Sequence, residues 1–244
     1  MGKNSNYKYN AFAERDAAIA RAARRKKRNA ILISVAAVLL VVTLVIVATI
    51  IWYVTPKDYC FYYRNREFNE DKVTYVEIKV ENYDAPIVLL LDASEAKVTV
   101  ENFVALVERG FYDGLDFHRV IKGFMIQGGD DSHLPAEEQA ESIIGEFSGN
   151  GISYNDFLHK RGVISMARAT DKNSASSGFF ICDADTPRLD GQYAAFGYVI
   201  SGLFTVDAIA DYAVGKTDSN GNILDGYEQP KIEYIKVLDG YDGK

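Results

Sequence analysis

The first pattern along the chain is a long run of apolar residues that contains no charge. It extends from Ala30 to Val54 and reads AILISVAAVLLVVTLVIVATIIWYV. About 20 apolar residues span the hydrocarbon core of a bilayer as a helix, so the run predicts a transmembrane helix over residues 30–54. A core helix of a soluble domain is rarely apolar on every face over such a length.

A cleaved signal peptide is the more serious alternative for this run. The apolar region of a signal peptide is usually about 7 to 15 residues long and ends at a small-residue cleavage site. This run is longer and ends in Trp52 and Tyr53, a pair that suits a membrane interface. The pattern therefore favours an uncleaved anchor.

Residues 55–72 lose this regularity, and from residue 73 onward short apolar runs predict β-strands. The earlier segment is polar and aromatic without a clear period, which indicates a stalk that folds in part against the following domain. The runs Val73–Val80 and Pro86–Leu91 read as strands. Six later runs, separated by Gly and Asp-Gly turns, read in the same way: FHRV, FMIQG, GVISMA, GFFICD, FGYVI and IEYIKVL.

Two stretches switch from strand to helix periodicity. In the first, Thr99 is placed to cap a helix and Gly110 to end it, and the apolar positions between them share one face. A second short helix is predicted at Phe204–Tyr212. Eight short strands with Gly-rich turns and two helices predict a mainly β domain over residues 73–240, either a closed barrel or a sandwich. The interior of a barrel of about eight strands is just filled by side chains, so a ligand would bind on its outer wall or mouth.

Charge is distributed very unevenly between the two ends of the chain. Residues 1–29 carry nine basic and two acidic side chains, and the densest block, ARRKKRN, touches the apolar run. Positive flanks stay in the cytoplasm, so we expect a single-pass cell-membrane protein with a cytoplasmic N-terminus and an extracytoplasmic domain. Because the whole chain carries −7 and its first 29 residues +7, the remainder carries −14. That acidity argues against a nucleic-acid partner, although the basic block taken alone also fits a nucleic-acid arm.

Few residues have the types and spacing of a metal site or of covalent catalysis. Cys182 lies in the apolar run FFIC, where a thiol acts as a small hydrophobe, and Cys60 lies in the predicted stalk, so a disulfide between them is not expected. The spacing of His118, His133 and His159 is unlike that of metal ligands. The segment DSNGN, 218–222, lacks the full calcium-loop pattern and is explained by an Asn-Gly turn. We therefore expect no cofactor and no metal.

Two segments contain the most informative groups. FHRVIKGFMIQGGD, residues 117–130, and VISMARATDKNSASSGFFICDADTPRLDGQYAAFG, residues 163–197, combine an arginine, large apolar side chains, a glutamine and Gly turns. They contain no paired nucleophile and base. Chemistry that needs only these groups is conformational and breaks no covalent bond.

The motifs FHRVIKGFMIQGGD, GVISMARA, SASSGFFI and LDGQYAAFG resemble those of the cyclophilin family of peptidyl-prolyl cis-trans isomerases. Their order and spacing are compatible with the family over residues 73–238, and several agreeing motifs form a specific signal. The combination of Met166, Ala167 and Arg168 with Tyr193 is similar to bacterial members. The resemblance implies a closed eight-stranded antiparallel β-barrel capped by two helices, here preceded by one transmembrane helix. It also implies that the chain isomerises prolyl bonds in unfolded or proline-containing polypeptides.

The resemblance assigns roles to individual positions of this chain. Arg119 matches the catalytic arginine, and Gln127 matches the glutamine that contacts the substrate backbone. Ala167 and Arg168 match positions that flank the peptide groove, and Tyr193 stands where many eukaryotic members have histidine and many bacterial ones tyrosine. The wall of the proline pocket is matched by Phe124, Met125, Phe180 and Leu189.

Two positions depart from the family pattern. Gly178 stands where the family usually has a glutamine, so the groove lacks a side-chain donor there. Arg188 stands where cyclosporin-sensitive members have tryptophan, which implies weak cyclosporin binding. The leading hypothesis is an anchored, extracytoplasmic prolyl isomerase. The alternatives are a proline-peptide-binding or chaperone module with little turnover, motivated by Gly178, and an anchored scaffold.

Overall fold

The computed structural model of the protein describes residues 3–54, 58–63 and 65–241, which divide into two compact units after Pro56. The first unit is a single helix of 52 residues, α1 (Lys3–Val54). Its stretch Arg24–Ile50 is long and apolar enough to cross a bilayer, and a signal sequence near an N-terminus has the same character. The side chains of Trp52 and Tyr53, and residues 55–57 of the predicted stalk, lie outside the described residues.

The second unit is built on one eight-stranded antiparallel sheet, and every strand expected from the sequence is present. In sheet order the strands run β3-β4-β6-β5-β7-β2-β1-β8. Their bounds are β1 (Val73–Val80), β2 (Ile87–Asp92), β3 (Arg119–Ile121), β4 (Met125–Gly128), β5 (Val163–Met166), β6 (Phe179–Cys182), β7 (Ala195–Ser201) and β8 (Ile232–Leu238).

The sheet is curled, but its two edge strands form no ladder with each other, whereas the sequence predicted a closed barrel. The outer side of the three-residue β3 is instead covered by a loop, because Val120 N donates to Gly221 O at 2.8 Å. The segment before β3 is nevertheless bonded to the start of β8, through the bridge between Asp116 and Lys231 and through bonds of Ile232 to Gly114 and Leu115.

Two helices pack against the sheet, α2 (Lys97–Glu108) and α3 (Leu203–Tyr212). Gly110, with φ +66°, follows the end of α2 as predicted. The prediction that Thr99 caps α2 was wrong, because Ala96 occupies the cap position and Thr99 lies inside the first turn. The carboxylate of the buried Glu146 instead accepts bonds from Val98 N at 3.1 Å and Thr99 N at 2.7 Å.

Aromatic rings fill the interior of the curled sheet. Phe103 of α2 lies 5.1 Å from Tyr112, 5.5 Å from Phe179 and 5.3 Å from Phe196, measured between ring centroids. On β6, Phe179 belongs to this core, whereas its neighbour Phe180 belongs to a separate cluster with Met125. Successive side chains of a strand face opposite sides, so β6 supplies one ring to the core and one to the other face.

Much of the predicted stalk belongs to the second unit. Cys60 is 1% exposed, and its N–H donates to Val199 O at 2.8 Å. The ring of Tyr63 lies 5.0 Å from Phe157 and 5.3 Å from Tyr198. Both cysteines are free and buried, and burial raises the pKa of Cys60 to about 11 and that of Cys182 to about 12. Neither thiol is therefore ionised at neutral pH.

Candidate active site

One cavity on the outer face of the sheet brings together all nine site residues named from the sequence. Its volume is about 110 Å³. Strands β3, β4 and β6, the residues just after β5 and the segment before β7 contribute its walls. It is lined by Arg119, Phe124, Met125, Gln127, Ala167, Arg168, Phe180, Leu189 and Tyr193.

The apolar wall of the cavity comes from β4, β6 and the segments that flank them. Met125 and Phe180 are 1% and 4% exposed and pack with Cys182, and Phe124 and Leu189 lie partly buried against them. The edge of one ring meets the face of the other between Phe180 and Tyr193, at 5.8 Å and 84°. Such an edge-to-face pair fixes both rings, so the cavity keeps its shape for a small apolar ring.

Arg119 forms the polar side of the cavity and is held at two points. It stands directly opposite Gln127 in the β3–β4 ladder, and its Nη1 donates to Gln127 Oε1 at 3.1 Å. Its Nε donates to Asn220 O at 2.8 Å. A guanidinium has five N–H donors, so three remain for a bound peptide, and Arg119 makes no ion pair with the described residues.

The loop that holds Arg119 is the DSNGN segment, which forms a tight turn. The carboxylate of Asp218 accepts bonds from Asn220 N at 2.8 Å and Asn222 N at 2.9 Å. These bonds, led by the one from the Asn222 side chain, lower the pKa of Asp218. Gly221 adopts φ +88°, and a Cβ there would lie 2.3 Å from the side chain of Ile121. The turn therefore needs glycine to approach β3 closely.

The orientation of Gln127 follows from its partner. A guanidinium can only donate, so the atom that faces Arg119 is the amide oxygen. The amide nitrogen of Gln127 makes no hydrogen bond to the described residues. It can donate to a carbonyl of a bound peptide backbone.

Sequence reasoning missed the support beneath Phe180. The ring of His159 stacks on Phe180 at 6.0 Å and 16°. His159 Nδ1 lies 3.0 Å from Asp190 Oδ1, and its Nε2 lies 3.1 Å from Ser165 Oγ. Burial lowers the pKa of His159, although Asp190 opposes the shift. The sequence analysis gave this histidine no role at the pocket, and its stacking under Phe180 was unforeseen.

Arg168 closes the far rim of the cavity beside Tyr193. Its guanidinium carbon lies 4.5 Å from the centroid of the Tyr193 ring. Its Nη2 and Nε donate to Gln192 O at 2.9 and 3.2 Å. These contacts fix the side chain, so we expect Arg168 to shape the groove.

The two departures from the family pattern both lie at the groove. A Cβ added to Gly178 would meet only the Cβ of Ala167 at 3.4 Å and Gly128 O at 4.0 Å, so a Cβ fits there in ordinary van der Waals contact. The guanidinium carbon of Arg188 lies 4.3 Å from the centroid of Phe124, which lines the cavity.

Comparison with known proteins agrees with this geometry. The family model for cyclophilin-type peptidyl-prolyl cis-trans isomerases matches residues 75–233. Peptidyl-prolyl cis-trans isomerase A of Dickeya dadantii is 44% identical over 129 residues, which are 51% of this chain and 65% of that protein. A peptidyl-prolyl cis-trans isomerase of Helicobacter pylori is 39% identical over 149 residues, 60% of this chain and 86% of the relative.

Solved structures are similar as well. A cyclophilin-type peptidyl-prolyl cis-trans isomerase of Cryptosporidium parvum superposes with a TM-score of 0.57 at 26% identity, covering 69% of this chain and 99% of its own. A crystal structure of that protein in the presence of the dipeptide Ala-Pro gives a TM-score of 0.56 at 28% identity, covering 68% and 99%. The chain belongs to the cyclophilin-type peptidyl-prolyl cis-trans isomerase family, and its enzyme class is that of a prolyl isomerase.

Proposed function

We propose that this protein is a membrane-anchored isomerase that assists the folding of extracytoplasmic proteins by arginine-assisted rotation about Xaa-Pro bonds. The single observation that best supports it is the cavity itself. There the Arg119 guanidinium, which forms no ion pair with the described residues, and the amide nitrogen of Gln127 border an apolar space of about 110 Å³.

The reaction requires no bond to be made or broken. Resonance gives the peptide bond a rotation barrier of about 18 to 20 kcal/mol, and uncatalysed exchange before proline takes tens to hundreds of seconds. As the bond twists, the prolyl nitrogen becomes pyramidal and regains its lone pair. A donor from Arg119 stabilises that nitrogen in the twisted state only, which lowers the barrier.

The apolar wall performs a separate task. Phe124, Met125 and Phe180 hold the pyrrolidine ring while the preceding carbonyl rotates. Gln127 Nε2 donates to the peptide backbone and limits its movement. Because these contacts exist in both the ground state and the transition state, their loss weakens binding and rate together.

Replacing Arg119 by alanine tests the mechanism. We expect turnover to fall about 10²- to 10³-fold, or about 2.7 to 4 kcal/mol, as for loss of one preorganised donor elsewhere. Peptide binding should fall much less. Exchange rates of a peptide with a single prolyl bond, measured by NMR with the full chain in neutral detergent, report turnover. Titration of the same peptide reports binding.

Two variants serve as controls for this test. Arg119→Lys should recover little, since a compact ammonium cannot reproduce the planar fork. Arg109→Ala removes an exposed arginine that stacks on Phe111 and lines no part of the cavity, so turnover should stay normal. Near-normal turnover in a folded Arg119→Ala protein would contradict the mechanism.

A binding module or chaperone with little turnover is the second candidate, and Gly178 is the observation that favours it. The space beside Ala167 is empty where a side-chain donor would hold the peptide. Peptide binding by the unaltered protein without measurable exchange would support this candidate. Weak cyclosporin binding is part of the proposal, because a guanidinium replaces a flat indole above Phe124.

Membrane topology is a separate part of the proposal. The basic segment 1–29 and the apolar stretch Arg24–Ile50 support a cytoplasmic N-terminus. Protease added to intact cells should remove an epitope after residue 241 and spare one placed before residue 21. Protection of the C-terminal epitope would reverse the orientation, and a soluble product lacking residues 1–50 would indicate a cleaved signal.

A further inference from the structure

A second, wider cavity adjoins the proline cavity. Its volume is about 570 Å³, and Arg119 and Phe124 line both cavities. Lys122, Asp185 and Arg188 contribute its charged groups. Because the two cavities share these residues, a peptide whose prolyl ring occupies the first cavity can extend into the second on one side of the proline.

The charges around the second cavity are unequally compensated. Lys122 Nζ pairs with Asp211 at 2.7 Å, and Asp185 pairs with Lys160 at 2.9 Å. Arg188 is exposed and makes no ion pair with the described residues, and the same holds for Arg119. Two guanidiniums without a carboxylate partner therefore border Phe124.

The ring of Phe124 holds the side chain of Arg188 in a position to bind a ligand. Its guanidinium carbon lies 4.3 Å from the centroid of Phe124. Stacking uses the face of a guanidinium and leaves the N–H groups at its edge available. An edge of this kind matches the two oxygens of a carboxylate, and the ring limits the freedom that Arg188 would lose on binding.

We propose that the groove selects prolyl peptides that carry an acidic residue close to the proline, and that Arg188 recognises its carboxylate. This inference rests on the proposed function and names its substrate class. The rest of the chain after residue 29 carries −14 and repels acidic peptides over a distance. The selection is therefore local to the cavity.

Peptides with a single prolyl bond test the proposal. Glutamate, glutamine or lysine is placed in turn at each of the two positions before and the two after the proline. Exchange rates measured by NMR give kcat/KM for the full chain in neutral detergent. This assay needs no coupling protease, whose own preference for the flanking residue would alter the result. At one position on one side of the proline, glutamate should exceed glutamine about three- to tenfold, with lysine lowest.

Variants separate the role of Arg188 from a general charge effect. Arg188→Gln should reduce the glutamate-to-glutamine ratio to about one. Arg109→Gln is the matched control, since it removes the same charge from an arginine that also stacks on a ring, Phe111, and lines neither cavity. That control should keep the ratio, and added salt should lower it.

Three results would overturn the proposal. The first is equal rates with glutamate, glutamine and lysine at every position. The second is a preference for glutamate that survives Arg188→Gln. The third is a preference for glutamate that Arg109→Gln removes as fully as Arg188→Gln does. If neutral peptides are not isomerised, the proposed function fails instead. Titrations of the same peptides then still measure whether the groove binds glutamate more tightly than glutamine.

Discussion

Gly178 leaves the groove short of one donor at a point where the backbone would accept a side chain. A Cβ there makes only ordinary contact with Ala167, and the residue does not adopt a positive φ. We expect Gly178→Gln to bind prolyl peptides about two- to tenfold more tightly, since one added hydrogen bond contributes about 0.5 to 1.5 kcal/mol. NMR titration of a single-prolyl peptide measures the change.

The matching control at this position is Gly178→Ala. It adds the Cβ and stiffens the unfolded chain but supplies no donor, so peptide affinity should stay unchanged. If glutamine and alanine increase affinity equally, the gain comes from the backbone, and the missing donor is not what limits binding.

Residue by residue, the sequence named nine side chains that line one cavity, but it did not reveal the groups that hold them in place. The nine lining residues could be named because they occur in short motifs whose spacing is fixed by strands β3 to β6. The groups that hold these side chains in place do not occur in such motifs. Arg119 is held by the carbonyl of Asn220, 101 residues later, and any residue type supplies a carbonyl.

At the scale of elements, both helices of the second unit are capped by carboxylates from distant parts of the chain. Glu146 accepts from the first turn of α2, 47 and 48 residues before it. Asp58 accepts from Gly202 N at 3.0 Å and Phe204 N at 2.7 Å at the start of α3. Local capping rules therefore assigned Thr99 wrongly, since the side chain that satisfies these N–H groups is not a neighbour in sequence.

The Asp58 cap makes a prediction for stability. Asp58→Ala should lower the free energy of unfolding by about 1 to 2 kcal/mol, because it leaves two N–H groups of α3 without their partner and removes a negative charge from the helix N-terminus. For a domain of this size that corresponds to a fall in melting temperature of about 2 to 8 °C. Thermal unfolding followed by circular dichroism near 280 nm measures it.

Asp84→Ala is the control for this substitution. Its carboxylate is exposed and bonds nothing in the described part of the chain, so stability should change little. Asp58→Asn should retain part of the cap, since one amide oxygen still accepts. Equal melting temperatures for Asp58→Ala and Asp84→Ala would show that the Asp58 cap contributes little to stability.

For the whole molecule, the buried His159 and the half-buried His118 make stability sensitive to mild acid. Burial lowers the pKa of both His118 and His159. The unfolded chain therefore takes up protons from about pH 6.5 downward while the folded chain resists them. Their contribution to stability is complete above that pH and is lost as the pH falls toward the folded pKa values.

We expect the urea concentration at the unfolding midpoint to change little between pH 7.5 and about pH 6.5 and then to fall toward pH 5.5. His159→Gln should lessen this slope, because one of the two groups no longer titrates. A midpoint that is constant or rises over this interval would contradict the assignment. The carboxyl of Asp116, whose pKa is raised by burial, acts in the opposite direction but at lower pH.

The overall architecture was predictable because alternation and turn residues are local signals, and all eight strands and both helices follow from them. Whether the sheet closes into a barrel could not be predicted from local signals. It depends on whether β3 pairs with β8 or with the loop at Gly221. The packing of Cys60 and Tyr63 was equally hidden, because their aromatic partners lie about 95 and 135 residues later.

The hydrogen bonds of Asp58 join residues that are far apart in sequence, so they cannot form until late in synthesis. Its partner Phe204 N follows 146 residues later, so at 5 to 20 residues per second the ribosome needs roughly 7 to 30 s to supply it. β1 likewise waits for β8, the last strand. Throughout that interval the earliest part of the domain presents unpaired strand edges and uncovered aromatic rings. The chain is thus exposed to aggregation while it is made, and its yield should depend on holding chaperones.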